Sequence, residues 1–264
     1  MEAVLAQGPI PARILYNTVT GVLSHRGVVR DDLNALPKRF KLLWGAGRRG
    51  KPSLNADIQN AAEATRMIAD PDMEILGTNA DSTCSAFNAE GGVTLTTKTT
   101  SGDQVILLPH LDANQSAWTQ VTWGTDKETV WECDLSTGAA ITTAILWAGL
   151  KLTDTGLIAT DNDQVFVRYE AGVSGGAWVV AYSIGGTDTT VVTTVLAAVS
   201  TRYHIRIAIG ATRIAKVYIN GALVATTTAL TDATDLIPYI GVQTSTAGAR
   251  AVVVHSEAIS RNIG

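Results

Sequence analysis

The chain has 264 residues, of which 46% are hydrophobic and 17% are charged, and its formal net charge is −4. This composition excludes a disordered chain, because enough apolar surface is present to form a sizeable core. The negative net charge gives no reason to expect that the whole chain binds nucleic acid.

Residues 1–76 are predicted to form an extended basic N-terminal arm. Gly and Pro recur there at irregular intervals, and little of the segment has an apolar period, so we expect the arm to gain order from a neighbour. Within residues 21–52, eight basic residues stand against two acidic ones, a balance of +6. We predict that this charge attaches the arm to an acidic partner. The eight basic residues are Arg26, Arg30, Lys38, Arg39, Lys41, Arg48, Arg49 and Lys51.

One short α-helix is predicted near residues 55–69. Ile58, Ala61 and Thr65 fall on one face, and Pro71 follows the helix as a terminator. The apolar face is suited to docking against another surface.

The first residues lack the basic start and long apolar run of a signal peptide, and no window reaches the roughly 18 apolar residues of a membrane-spanning helix. We therefore expect no membrane partner and synthesis in a reducing cytosol. Cys84 and Cys133 are expected to be free thiols, with a disulfide between them left open.

Residues 77–264 are predicted to form an all-β domain, a two-sheet antiparallel sandwich that folds without the arm. Many short strands with almost no helix are typical of this architecture. The predicted strands are Thr83–Asn88, Val93–Thr97, Gln104–Leu108, Ala117–Trp123, Thr129–Leu135, Thr143–Leu150, Gln164–Glu170, Ala177–Ile184, Thr189–Leu196, Arg202–Ile209, Arg213–Ile219, Ala222–Thr228, Ile237–Val242 and Arg250–Ile259.

The clearest local signal is Asn220-Gly221, between two of these strands. A type I′ hairpin turn needs positive φ at two successive residues, and Asn-Gly tolerates this best. In the strand before that hairpin, Tyr203, Ile205 and Ile207 alternate with polar or small residues, which is typical of a half-buried strand.

The segments Arg202-Tyr-His-Ile-Arg-Ile, Lys216-Val-Tyr-Ile-Asn-Gly-Ala-Leu-Val-Ala and Ile237-Pro-Tyr-Ile-Gly-Val resemble the concanavalin A-like jelly-roll superfamily. That superfamily includes lectins, laminin G modules and family 16 glycanases. The strands Trp131-Glu-Cys-Asp-Leu, Trp147-Ala-Gly-Leu-Lys-Leu-Thr and Asp163-Gln-Val-Phe-Val-Arg-Tyr also resemble jelly-roll proteins of bacteriophage virions. The resemblance covers residues 77–264 and is specific for the fold rather than for function.

The virion resemblance implies a non-enzymatic structural protein, a capsid decoration or cement protein located on the capsid surface and made in the host cytoplasm. The arm would bind the major capsid protein, the jelly-roll would lie outside, and the chain would form a homotrimer. One alternative is a carbohydrate- or receptor-binding module of a head or tail fibre, which leaves carbohydrate open as a partner. A third hypothesis is a glycan hydrolase.

The hydrolase hypothesis depends on Glu132 and Asp134. Strand alternation places both on one face with Cys133 on the other, as in the E-x-D strand of family 16 glycanases. A retaining glycosidase needs a second carboxylic acid, and here Leu135 and Ser136 follow instead. We therefore predict no catalytic residues and no enzyme.

No metal or cofactor is predicted. The stretch Thr160-Asp-Asn-Asp163 offers oxygen ligands for Ca²⁺, but such stretches are more often turns. The histidines form no metal-binding motif. A Ser/His/Asp triad is left open, although no G-x-S-x-G motif is present.

Overall fold

The computed structural model describes residues 39–45, 51–54, 69–110, 117–153 and 161–263. The chain divides into two units, Met1–Arg39 with Gly264, and Phe40–Ile263. All described residues except Arg39 belong to the second unit.

Sixteen strands, one short helix and two 3₁₀ turns make up the regular structure of the described residues. The strands are β1 (Arg39–Gly45), β2 (Lys51–Ser53), β3 (Ala69–Leu76), β4 (Ser85–Phe87), β5 (Val93–Thr96), β6 (Gln104–Pro109), β7 (Val130–Thr137), β8 (Ala144–Lys151), β9 (Gln164–Glu170), β10 (Ala177–Ile184), β11 (Thr187–Leu196), β12 (Arg202–Ile209), β13 (Ile214–Ile219), β14 (Ala222–Ala229), β15 (Ile237–Thr244) and β16 (Ala251–Asn262). The helix is α1 (Ala117–Gln120), and the 3₁₀ turns are Ser82–Cys84 and Ser174–Gly176.

The strands form two eight-stranded sheets. The first has the order β14-β13-β12-β7-β16-β5-β4, with β1 also paired to β16, and the second has the order β11-β10-β9-β8-β15-β6-β3-β2. The two sheets form a sandwich, so the predicted all-β jelly-roll fold is confirmed. Wherever the residue pairing between two strands is defined, the strands are antiparallel, except for the short parallel pair β2–β3.

The core lies between the sheets, where one face of each strand is apolar. In β7 every second residue is buried, from Trp131 to Thr137, and in β12 the buried set runs from Tyr203 to Ile209. Burying one such aliphatic side chain contributes about 1.5–3 kcal/mol. The remaining residues of these two strands face outward and are free to carry a function.

The hairpin turn at Asn220-Gly221 is confirmed, because both residues have positive φ, 51° and 81°. Thirteen of the fourteen predicted strands are present, with ends displaced by a few residues at most. The predicted strand Ala117–Trp123 is wrong, because its first residues form α1. There the indole Nε1 of Trp123 donates to the carbonyl oxygen of Trp118 at 2.7 Å, which holds the segment in a compact turn.

Strands β1, β2 and β3 precede residue 77 and were not predicted. Trp44 of β1 donates its indole N–H to Asp70 at 2.5 Å, and both side chains are buried. The Asp70 carboxylate also accepts from the backbone N–H of Asp72 and of Met73. Contacts with distant parts of the chain, the Trp44–Asp70 hydrogen bond and the pairing of β3 with β6, therefore form a strand where Pro and Asp give little local preference. The predicted helix lies outside the described residues over 55–68, and Ala69 begins β3.

A second apolar cluster lies on the outer side of the second sheet. It contains Ile106, Leu108, Ile145, Trp147, Phe166 and Tyr239, all buried. In the part of the chain that the structure describes, no helix is both long and apolar enough to cross a membrane.

Candidate functional site

The outer side of the first sheet is polar and charged, in contrast to the apolar outer cluster of the second sheet. We call it the polar face and define it by eight polar side chains that β1, β7, β12 and β13 direct outward. Its members are Lys41, Glu132, Asp134, Arg202, His204, Arg206, Lys216 and Tyr218. Four cations and two carboxylates give it a charge of +2 with His204 neutral, against −4 for the whole chain.

The carboxylates lie on the central strand β7. Glu132 and Asp134 both point outward, and Cys133 between them is buried in the core, as strand alternation predicts. Burial raises the pKa of the Cys133 thiol well above its ordinary value, and the nearby carboxylate of Glu257 adds to this effect. Cys133 therefore remains a protonated core residue and takes no part in the polar face.

Each carboxylate on β7 has a cationic partner. Lys41 Nζ lies 3.2 Å from Glu132 Oε1. Asp134 is shared, because Arg202 lies 3.1 Å from its Oδ2 and His204 Nδ1 lies 3.3 Å from its Oδ1. This contact orients the imidazole of His204 and leaves its Nε2 as the ring nitrogen that is free to meet a ligand.

Strand register places the cations in a row. On β12, Arg202 is paired with Ser136, His204 with Asp134, and Arg206 with Glu132. On the other side of β12, Arg206 is paired with Tyr218, and its guanidinium lies 5.3 Å from the Tyr218 ring centre. The face therefore presents guanidinium, imidazole and phenol groups on adjacent positions of two strands.

A serine and a histidine meet at the same end of the face. The Oγ of Ser136 lies 2.8 Å from Nε2 of His255, and Nδ1 of His255 lies 3.0 Å from the carbonyl oxygen of Gly91. Burial lowers the pKa of His255, and the positive charge of Arg202 lowers it further. The imidazole is therefore neutral at pH 7.

The structure places only part of the predicted attachment set. Arg26, Arg30, Lys38, Arg48 and Arg49 lie outside the described residues, and Arg39 begins β1. Lys41 is paired with Glu132 on the polar face. Lys51 donates to the carbonyl oxygens of Ser82 and Ser85 at 2.9 and 3.2 Å. These two lysines therefore have partners within the sandwich, and the attachment role of the set stays a prediction.

Two residues of the candidate Ca²⁺ stretch hydrogen-bond within the fold, and Thr160 lies outside the described residues. Asp161 accepts from the hydroxyl of Thr153, and Asp163 accepts from Thr231. Among the described residues no group of three or more His, Cys, Asp or Glu side chains is arranged to hold a metal ion. Trp131 and Trp147 are buried, so neither offers a surface on which a sugar ring can stack.

Arg202, His204, Arg206 and Tyr218 were missed as site residues, although the sequence carried a signal for them. Alternation in β12 already placed His204 and Arg206 on the solvent side. What the sequence did not carry was the register that aligns β12 with β7. The contact between Ser136 and His255 joins residues 119 positions apart and had no local signal.

No known protein-family model matches the chain, and no curated protein matches it. The similarities are to solved structures. A protein of unknown function from Shewanella oneidensis MR-1 matches at 12% identity and a TM-score of 0.55, over 90% of this chain and 96% of that one. A family 7 alginate lyase in complex with its product matches at 18% identity and a TM-score of 0.50, over 69% of this chain and 85% of that one.

The carbohydrate-binding module CBM66 from Bacillus subtilis matches at 11% identity and a TM-score of 0.42, over 69% of this chain and 94% of that one. At these identities the shared property is the jelly-roll fold. The prediction that this chain is not an enzyme is corrected, because an alginate lyase, which is an enzyme, has the same fold. The lack of a second Glu after Asp134 argued only against a glycosidase, and this fold also carries lyase chemistry.

Proposed function

We propose that the chain is a jelly-roll protein whose polar face binds an anionic polysaccharide. The observation that supports this most directly is the row of Arg202, His204 and Arg206 on the outer side of β12, beside the carboxylates of β7. On this face an extended glycan would lie across several strands at once. The local charge of +2 favours carboxylate-bearing sugars over neutral ones.

The side chains of the face suit the two groups that a uronate presents. The planar guanidinium of Arg206 can donate two parallel hydrogen bonds to a carboxylate. Tyr218 offers a ring face and a hydroxyl next to it. Glu132 and Asp134 hold the cations in place and accept hydrogen bonds from sugar hydroxyls.

A binding assay with alginate tests this proposal, with neutral dextran as the comparison. We expect alginate to bind and dextran not to bind, and we expect Arg206→Gln to weaken alginate binding by about tenfold or more. Arg213→Gln is the matched control, since Arg213 pairs with Asp232 away from the polar face. Equal binding of alginate by wild-type protein and by the Arg206 variant would refute the role of the face.

A second candidate is cleavage of the bound uronate by β-elimination, favoured by the orientation of His204. In this reaction a base removes the proton from the carbon next to the carboxylate, a carbon–carbon double bond forms, and the glycosidic carbon–oxygen bond breaks. The departing oxygen takes a proton. Arg206 would neutralise the substrate carboxylate, and His204 and Tyr218 would serve as base and acid.

The lyase assay measures the ultraviolet absorbance of the unsaturated uronate product. His204→Gln and Tyr218→Phe should each lower the rate by about 100-fold or more, a much larger loss than either change causes in alginate binding. If alginate binds and no absorbance develops, the binding proposal stands and the lyase proposal falls.

The virion role is a separate and narrower proposal. In it, the chain decorates a capsid surface as a homotrimer, and its partners are the major capsid protein and other copies of the chain. It is supported by the +6 balance of residues 21–52. Co-sedimentation with particles that lack the native copy tests it. Removal of residues 1–38 should abolish binding to the particle, and Arg48→Glu with Arg49→Glu should weaken it and reduce its salt dependence. Undiminished binding of the shortened chain would contradict this proposal.

A further inference from the structure

We propose that Ser136 and His255 form a nucleophile–base pair that hydrolyses a carboxylic ester. Their side chains are in hydrogen-bond contact at 2.8 Å, and a third group orients the base, the carbonyl oxygen of Gly91 at 3.0 Å from Nδ1. A nucleophile, a base and a group that orients the base are the parts that an activated serine requires. This activity is separate from the glycan binding proposed above.

The contacts of His255 determine its tautomer. A backbone carbonyl oxygen only accepts hydrogen bonds, so Nδ1 must carry the proton that is donated to Gly91. In the neutral imidazole Nε2 then has no proton and accepts the hydroxyl proton of Ser136. This is the tautomer in which a histidine takes a proton from an attacking serine.

Two features of the backbone fix the ring in this position. The pairing of β16 with β7 shifts register between Val254 and Ser256, so His255 is an inserted residue in a β-bulge. Bulges of this kind redirect a side chain and are frequent beside active sites. On the other side, a Cβ added at Gly92 would lie 3.0 Å from Nδ1 of His255, so the glycine allows the ring to pack against the backbone.

The charged groups that face His255 come from three elements. They are Arg202 from β12, Asp134 from β7 and Glu90 from the turn between β4 and β5. Arg202 is directly paired with Ser136 across the two strands, and its guanidinium binds Asp134 and acts on the charge of His255. We infer that this positive charge also stabilises negative charge that develops beside the serine. Burial keeps His255 uncharged at neutral pH, which is the state a general base needs.

The reaction balances with water as the second reactant. Ser136 Oγ forms a bond to the ester carbonyl carbon while His255 takes its proton, and the alcohol leaves with that proton as the carbon–oxygen bond breaks. Water, deprotonated by His255, then attacks the acyl-serine. The acid is released and Ser136 regains its proton. An O-acylated sugar on the polar face would supply such an ester, and this narrower substrate rests on the proposed function.

Two probes without any sugar test the pair. On the wild-type chain, an alkyl fluorophosphonate should label Ser136 alone, as peptide mass spectrometry will show. With p-nitrophenyl acetate, we expect a burst of p-nitrophenolate equal to the amount of protein. Ser136→Ala should abolish the burst and His255→Gln should slow it by about 100-fold or more. The wild-type rate should fall in acid, at a pH below the ordinary imidazole pKa of about 6.5, because burial lowers the pKa of His255.

Ser101→Ala is the matched control, because Ser101 is an exposed serine whose hydroxyl donates to the carbonyl oxygen of Ser245 and not to a histidine. Melting curves of all variants separate loss of activity from loss of fold. Labelling of a different serine, absence of labelling, or full hydrolysis by Ser136→Ala would each overturn the proposal. Because the probes contain no glycan, a negative result with them would not contradict the alginate-binding proposal. A failure to bind alginate would likewise not contradict the esterase proposal.

Discussion

Glu257 is a buried carboxyl group inside the sandwich. It faces the core opposite Cys133, and the indole Nε1 of Trp131 donates to it at 2.6 Å. Burial raises its pKa from 4.5 to about 8. Between these two values the folded chain holds a proton that the unfolded chain has released.

Relative to Glu257→Gln, the wild-type chain should therefore lose stability as the pH rises from about 4.5 to about 8. The unfolded state binds fewer protons across that window, and the difference should reach a few kcal/mol. Glutamine keeps a neutral acceptor for Trp131 and cannot ionise. Urea unfolding of both proteins at a series of pH values measures the difference, and parallel stability curves would show that Glu257 is not protonated in the fold.

Gly241 allows close packing on the outer side of the second sheet. A Cβ built at this position would overlap the ring of Trp147. Gly241→Ala should therefore destabilise the fold by about 1–3 kcal/mol. Gly210→Ala is the control, because the nearest atom to its added Cβ would be the Ile214 carbonyl oxygen at 3.8 Å. A melting temperature that falls equally in both variants would contradict this account.

At the scale of elements, the hairpin between β13 and β14 depends on its two turn residues. Asn220 and Gly221 have φ of 51° and 81°, a conformation that β-branched residues avoid. Replacing both with Val should destabilise the chain by about 2 kcal/mol or more, because strain and loss of register add.

The same turn also supports the polar face. The side-chain oxygen of Asn220 accepts from the backbone N–H of His204 at 2.9 Å. Thermal unfolding of the double Val variant should therefore be compared with Thr226→Val, a change at an exposed position of β14. If the two variants melt alike, the turn does not hold this part of the sheet.

Strands in which apolar and polar residues alternate could be predicted from the sequence, and strands that depend on tertiary contacts could not. The bounds of β9, β10 and β12 agree with the prediction, since each has apolar residues and turn signals at both ends. Strand β3 contains Pro71 and three acidic residues, and the hydrogen bond from Trp44 to Asp70 and the pairing with β6 specify it instead. Such contacts connect distant residues and leave no local pattern.

The candidate site divides in the same way. Alternation placed Glu132 and Asp134 on one face, and this is confirmed. The partners of these carboxylates depend on pairing across strands, which brings Arg202 and His204 from 68 and 70 positions away. The bulge that directs His255 toward Ser136 is a property of two paired strands and is not visible in either alone.

At the scale of the whole molecule, the two outer faces of the sandwich have different chemistry. The first sheet presents ion pairs to solvent, whereas the second sheet buries Trp147, Phe166 and Tyr239 on its outer side. A face that only needed solubility would not require a row of arginine and histidine on one strand. This asymmetry supports the proposal that the first sheet is the face that meets a ligand.

The position of β3 bears on where the folding unit begins. The sequence alone predicts that residues 77–264 fold without the preceding segment. Met73 and Ile75 of β3 are fully buried in the main core, and Trp44 of β1 packs in the same cluster. Burying Met73 and Ile75 contributes about 1.5–3 kcal/mol each, a large part of the roughly 5–15 kcal/mol that stabilises a domain.

We therefore expect a fragment that begins at Arg39 to melt cooperatively, and a fragment that begins at Gly77 to melt at a much lower temperature or to remain unfolded. The shorter fragment also exposes the edge of β6, which pairs with β3 in the full chain and would then be open to aggregation. Calorimetry of both fragments measures the difference. Met73→Ala in the longer fragment separates the loss of core packing from the loss of strand pairing. Equal melting temperatures for the two fragments would show that the sandwich is complete without β1, β2 and β3.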